Sequence, residues 1–144
     1  MNCFARYLRP ATAAAMLAMS LAGCGVQESI KNADAEVARF HSALDAGQWQ
    51  SLYAAADPDM RKATTAVQFN QMLSAVHRKL GKVRESKQVG WNANASTDGS
   101  FITVTMQTTF ERGSGTEQFV YRKGSGDRLL LVGYNIQSRE MMLN

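Results

Sequence analysis

At Gly81 the hydrophobic pattern of this chain changes period, and nothing else in the sequence narrows the choice of fold as much. Before Gly81, apolar residues recur every three to four positions, the period of a helix with one buried face. After it they recur every second position, the period of a strand with one face inward. Helices first and strands after describe an α+β domain, not an alternating α/β one. With 45% hydrophobic and 19% charged residues in 144, the chain has enough apolar surface for one core and is neither disordered nor collagen-like.

Ala33, Val37, Phe40 and Leu44 lie at helical spacing, and Gly47 ends that helix. Trp49, Leu52, Tyr53 and Ala56 repeat the spacing over a shorter segment, closed by Asp57-Pro58-Asp59, where Pro58 can open another turn. Thr65 and Gln68 have the spacing of a capping box and begin a third helix, with Phe69, Met72, Leu73, Val76 and Leu80 on its face. Val83 to Trp91 reads as a strand and Asn92 to Gly99 as a polar loop. Ile102, Val104, Met106, Thr108 and Phe110 then alternate with Thr103, Thr105, Gln107 and Thr109. Gly113-Ser114-Gly115 is expected to turn the chain into Thr116 to Lys123, where Phe119 and Tyr121 share a side. Gly124 to Asp127 turns it again into Leu129 to Gln137, with Leu130, Val132, Tyr134 and Ile136 on one face and Gly133 free to bend the strand. The expectation is three helices packed on a curved antiparallel sheet of about four strands in a meander. Phe40, Leu44, Trp49, Phe69, Leu73, Val76, Val104, Met106, Phe119, Val132 and Tyr134 are its expected core.

Several stretches carry a family likeness: Leu44 to Tyr53, Phe69 to Gly81, Phe110-Glu111-Arg112-Gly113 leading into Phe119-Val120-Tyr121, and Leu131 to Ile136. Over about residues 33 to 138 the chain resembles the cystatin-like and nuclear-transport-factor-two-like superfamily, and within it a group of small proteobacterial lipoproteins. The resemblance implies helices covering the concave face of the sheet. It leaves function open, because that superfamily includes enzymes, transport factors and binding modules. Many members place a strand between the second and third helices, and Asp57 to Thr64 leaves little room for one.

The N-terminus reads as an address. Arg6 and Arg9 make a basic start, Pro10 to Ala22 an apolar run, and small residues follow. The run is shorter than the roughly 20 apolar residues that span a bilayer. Leu21-Ala22-Gly23-Cys24 resembles the lipobox of bacterial lipoproteins, in which the cysteine sulfur takes a diacylglycerol before cleavage. The expected division is a signal peptide over 1–23, a lipidated tether over 24–32, the α+β domain over 33–138 and a tail over 139–144. Of the two cysteines, Cys3 would leave with the signal and Cys24 would carry lipid, so no disulfide is expected. Stable attachment takes more than one acyl chain. With Gly25, not Asp, after the lipidated cysteine, the resemblance implies the outer membrane, facing the periplasm.

Charge alone gives no argument for nucleic acid, and an exported location leaves it unexpected as a partner. Removing Arg6 and Arg9 from the 16 Lys and Arg leaves 14 against 12 Asp and Glu, a net of +2. The local asymmetry is Arg78, Lys79, Lys82, Arg84 and Lys87, a candidate patch for an anionic partner such as a headgroup, a cell-wall polymer or an acidic protein. Cations beside a helix C-terminus also have a purely local explanation. His41 and His77 lack the neighbours a metal site needs, so no metal or cofactor is expected; each is read as a residue bordering an apolar stripe. The superfamily's enzymes place an acid and an aromatic hydroxyl between sheet and helices, which directs attention to Asp45, Asp57, Asp59, Glu111, Tyr53, Tyr121 and Tyr134. The acids sit at element ends, where capping and turn roles are the common ones. Two functions follow as expectations: a non-catalytic envelope protein that binds a protein, polymer or small apolar ligand, or a small isomerase- or hydratase-like enzyme using a pocket acid. An ionisable side chain facing a cavity between sheet and helices would separate them.

Overall fold

The computed structural model describes residues 21–143, with side chains from Gly25 onward. Residues 1–20 of the expected 1–23 signal peptide, and the side chains of Leu21, Ala22, Gly23 and Cys24 of the expected lipobox, lie outside the described residues. Helix α1 spans Leu21–Asp45, so the segment expected as a tether is helical from its first residue. Ser29 explains part of this: it is buried and donates back to the Gly25 carbonyl at 2.8 Å, and its surroundings Glu28, Lys31 and Asn32 suit an exposed helix face as well as a loop. Ala33, Val37, Phe40 and Leu44 are buried as a stripe, joined by His41. The helix stops at Gly47 (φ +69°), where Gly47 N–H bonds to the Leu44 carbonyl and Gln48 N–H to the Ala43 carbonyl. That is the Schellman pattern, and its left-handed residue is why a glycine is required there.

Helix α2 covers Trp49–Ala55, α3 Pro58–Ala63 and α4 Ala66–Leu80. Four helices thus precede the sheet where the spacing pointed to three, because Pro58 at the first helical position and Asp57, which caps the Asp59 N–H, build a separate turn of helix. The capping box forms: Thr65 accepts from the Gln68 N–H and the Gln68 side chain accepts from the Thr65 N–H. Phe69, Leu73, Val76 and Leu80 of α4 are buried.

Strands β1 (Val83–Ser96), β2 (Gly99–Phe110), β3 (Gly113–Lys123) and β4 (Leu129–Gln137) form one antiparallel sheet in the order β1-β2-β3-β4, and α5 (Arg139–Met142) follows. The meander expected from the short glycine turns is therefore present. Its turns differ in place. Asn92 to Ser96 continues β1, opposite Gly99 to Thr103, and Thr97-Asp98 makes the bend. Glu111-Arg112 makes the next, while Gly113 to Gly115 already pair with Phe110 to Thr108. The loop expected over Asn92 to Gly99 is thus mostly strand: Asn, Ala and Ser also suit an exposed edge, and pairing with β2 decides it.

Ile102, Val104, Met106, Thr108 and Phe110 of β2, with Glu117, Phe119 and Tyr121 of β3, face the helices and are buried. The opposite face carries Thr103, Thr105, Gln107, Thr116 and Gln118. In β4 the register slips by one residue: Tyr121 pairs with Leu131 but Val120 with Gly133, leaving Val132 extra. The bulge reverses the strand's phase, so Leu129 and Leu131 are buried where Leu130 and Val132 were expected, while Tyr134 and Ile136 still pack on the core. Val132 is only half-buried. Trp49 and Tyr134 lie partly buried against the core, and the other expected core residues are within it.

Candidate functional site

A carboxylate occupies the middle of the interior. Glu117 is fully buried on β3, in phase with Phe119 and Tyr121, so the alternation that carries those rings inward carries it too. One of its oxygens, Oε2, accepts from His41 Nε2 at 2.7 Å and from Thr108 Oγ1 at 2.5 Å. The other, Oε1, accepts from the Tyr134 hydroxyl at 2.7 Å. Thr108 has one proton to give and gives it to the carboxylate, so at the 2.8 Å contact between Thr108 Oγ1 and Ser86 Oγ the serine is the donor. Residues from α1 and all four strands meet in this chain. Aromatic rings enclose it: Phe40 lies 4.7 Å from Tyr134 and 5.0 Å from Phe119, and His41 lies 5.8 Å from Phe119, centroid to centroid.

Burial, then the Glu117 charge and the hydrogen bond to it, hold the Tyr134 phenol well above its ordinary range. Its proton stays on oxygen and is committed to Glu117. A buried carboxylate with three donors is a satisfied group, where an unpaired one would be strongly unfavourable.

Two clefts open beside this interior. The first, about 290 Å³, lies between α1, α2 and β4, with Phe40, Leu52, Tyr121, Leu129 and Leu131 in its walls and Glu36, Arg39 and Arg128 among its lining. The second, about 420 Å³, lies between α3, α4 and β4 and is walled by Met60, Phe69, Met72, Val132 and Tyr134. Among the described residues, Tyr134 is the one ionisable residue lining the second cleft, and Glu117 and His41 line neither.

His41, expected to border the stripe, is instead buried within it and bound to Glu117. Position 41 falls eight residues after Ala33 and four after Val37, so the helical spacing did place it inward. A single acid in a strand reads as an outward residue, so the sequence does not single out Glu117; its phase with Phe119 and Tyr121 is the available signal. His77 packs its ring 6.3 Å from Trp49, with Nδ1 buried and unpartnered.

The acids singled out in the sequence hold local structure. Asp45 accepts from the Val83 N–H at 3.1 Å, joining the end of α1 to the start of β1. Asp57 caps α3 and, with Asp59, binds the Arg122 guanidinium at 2.8 to 3.1 Å. Hydrogen bonds from Arg122 and Lys62 hold the Asp59 carboxyl below its ordinary range. Glu111 accepts from the Lys82 N–H at 3.0 Å, which lowers its carboxyl likewise. Tyr53 donates to the Thr64 carbonyl at 2.8 Å. The basic patch is spread over the end of α4 and the start of β1. Arg84 lies 3.6 Å from Glu111, Lys87 3.2 Å from Glu85, and Lys79 Nζ donates to the Met141 carbonyl at 3.0 Å. Arg112, absent from the expected patch, donates to the His77, Arg78 and Lys79 carbonyls and so caps α4 with a cation.

Among the described residues no group of His, Cys, Asp and Glu could hold a metal ion, and no helix is long and apolar enough to cross a membrane. By its layers the protein is an α+β domain, helices laid on one face of an open antiparallel sheet around a polar cluster centred on the buried Glu117. The chain belongs to the DUF4019 family, a protein family of unknown function, whose family model matches residues 36–134. No curated protein matches the chain.

Proposed function

We propose that this is a lipid-anchored protein of the bacterial envelope, of cystatin-like or nuclear-transport-factor-two-like descent, whose domain binds a partner or small apolar ligand and catalyses nothing. One observation supports the non-catalytic reading: the buried acid–base cluster of His41, Glu117 and Tyr134 is turned inward on itself. Glu117 is fully buried and faces neither cleft, and the single ionisable residue of the second cleft, Tyr134, has its proton tied to Glu117. General acid–base catalysis needs such a group within reach of a substrate proton, whereas the half-open clefts need only a lining.

The anchor rests on Leu21-Ala22-Gly23-Cys24, and Gly25 favours the outer membrane. Because α1 runs unbroken through Gly25 to Asn32, the lipid would be joined to the domain by a stiff spacer about 12 Å long at the helical rise. The alternative, an isomerase- or hydratase-like enzyme, draws on the same His41–Glu117–Tyr134 chain and needs Tyr134 to exchange its proton with a substrate.

The test isolates the lipidated protein from its own envelope. Cys24→Ser should abolish fatty-acid labelling and release the protein; retained label would defeat the anchor. Ala55→Trp and Ala63→Trp each fill one cleft from an exposed position, and one of them should lose the bound material. Tyr134→Phe should keep it and the cellular phenotype. A Tyr134→Phe protein with native melting temperature and bound material but no phenotype would establish the enzyme reading instead.

A further inference from the structure

The sheet has two edges, and they are treated differently. At the β4 edge the Asp57 N–H bonds to the Leu131 carbonyl at 2.9 Å, so the start of α3 covers part of it. At the β1 edge no further strand pairs among the described residues, and Trp91 to Ser96 are exposed throughout. The first half of β1 carries the features that usually guard an edge: the charges of Arg84, Glu85 and Lys87, and bulges between Val83 and Glu85 and between Gln88 and Gly90. Trp91 to Ser96 have no charge, no proline and no bulge, and Trp91 is 53% exposed.

Two turns fix where the backbone groups of this stretch point. Thr97-Asp98 closes β1 and β2 on the pair Ser96 and Gly99, and Glu111-Arg112 closes β2 and β3 on the pair Phe110 and Gly113. The pair that closes a two-residue turn is hydrogen-bonded, and bonded and non-bonded pairs alternate from there. Both turns give β2 the same phase: its odd-numbered residues bond to β1 and its even-numbered ones to β3. Gly90, Asn92, Asn94 and Ser96 therefore bond to β2, and Trp91, Ala93 and Ala95 aim their N–H and C=O out of the sheet. The side chains of Trp91 and Ala93 stand on the helix face, beside the buried Val104 and Ile102 with which they pair, and those of Asn92 and Asn94 stand on the other.

We infer that β1 pairs antiparallel with β1 of a second copy of this chain, about a two-fold axis at Ala93, joining the two four-stranded sheets into one. Only this register sets each of Trp91, Ala93 and Ala95 opposite a residue whose backbone also faces the edge: Trp91 opposite the second copy's Ala95, and Ala93 opposite itself. Each exposed indole then lies over the alanines of the other copy, large against small, and Asn92 meets the second copy's Asn94 on the outer face, amide to amide. The charges agree with it. A neutral stretch paired with itself sets no like charges together, and Lys87, just before it, falls beside the second copy's turn, which carries Asp98.

The test purifies the full chain in detergent, with any lipid it carries, and follows its association by sedimentation velocity. The native protein should dimerise reversibly. Ala93→Lys and Ala93→Glu each set like charges against one another at the axis and should each weaken the dimer about fivefold or more, and an equal mixture of the two should recover it. Mixing cannot rescue a chain that has failed to fold, so recovery separates the contact from the fold. Cysteines read the register. Asn92 of one copy and Asn94 of the other form a non-hydrogen-bonded pair, about 4.5 Å apart at Cα, within the reach of a disulfide. Mild oxidation should link an Asn92→Cys chain to an Asn94→Cys chain and neither variant to itself, and this result decides the matter if the Ala93 variants do not fold. A native protein that stays monomeric up to its highest soluble concentration overturns the inference. So does a dimer that folded Ala93→Lys leaves intact, or one in which Asn92→Cys links to itself as readily as to Asn94→Cys.

Discussion

Glu117 sits where this fold should hold a leucine, and its surroundings have been built to suit it. A buried polar cluster is seldom worth more than the apolar packing it displaces, yet removing one partner leaves the others unsatisfied. Glu117→Ala would leave His41, Thr108 and Tyr134 with donors aimed at an empty space. The expected loss is about 3 to 5 kcal/mol, read as a lower denaturation midpoint at unchanged slope. A midpoint within the scatter of the native protein would mean that the cluster contributes nothing to the fold. The same side chain marks what was hard to see beforehand. His41 lies in the helical stripe and Glu117 in the strand alternation, but neither periodicity reveals a partner 76 positions away; only packing α1 on β3 does.

At the scale of elements, caps and turns follow local rules and were legible. The Thr65 capping box, Asp57 before Pro58 and Gly47 after α1 each satisfy orphan backbone groups with residues a few positions off. The corner at Gly81 combines a local rule with a distant one. Its φ of +80° suits glycine, and a Cβ there would also come within 2.6 Å of the Glu111 carboxylate that receives the Lys82 N–H. Gly81→Ala should therefore cost more than the roughly 1 to 3 kcal/mol of a residue with a Cβ held in this glycine-only conformation (φ +80°, ψ −158°), because it also displaces Glu111. Glu111→Ala, which removes the carboxylate and leaves the Glu111 Cβ at 2.9 Å, should return part of the loss. A double mutant that melts no higher than Gly81→Ala alone would rule out this coupling. The β4 bulge is the opposite case: Gly133 advertised a bend, but which residue became extra was settled by pairing with Val120 and Tyr121.

For the molecule as a whole, exposed carboxylates tie the elements together and set its response to acid. Asp59, Glu111 and Glu140 are all held below their ordinary values by hydrogen bonds: from Arg122 and Lys62 to Asp59, from the Lys82 N–H to Glu111, and from the Glu140 backbone N–H and Ser138 to Glu140. The unfolded chain then takes up more protons than the native one in acid, so their contribution is complete above the unfolded values of 3.8 and 4.5 and is lost as pH falls through the lower native ones. Asp34 has the opposite sign, since burial raises its carboxyl and protonation relieves it. Three against one predicts a melting temperature that is level just above pH 4.5 and declines below it. A melting temperature that rises steadily from pH 5 to pH 3 would show that Asp34 dominates.

Amino-acid order alone determined the α+β class, the order of helices before a meander, most of the core and the helix caps, because each depends on a period or on neighbours within a few residues. Tertiary structure decided the rest. The length of β1, the phase of β4, and the burial of Glu117 beside His41 and Tyr134 all depend on which surfaces pack together. A side chain's partner across the core is a property of that packing, and no local spacing encodes it.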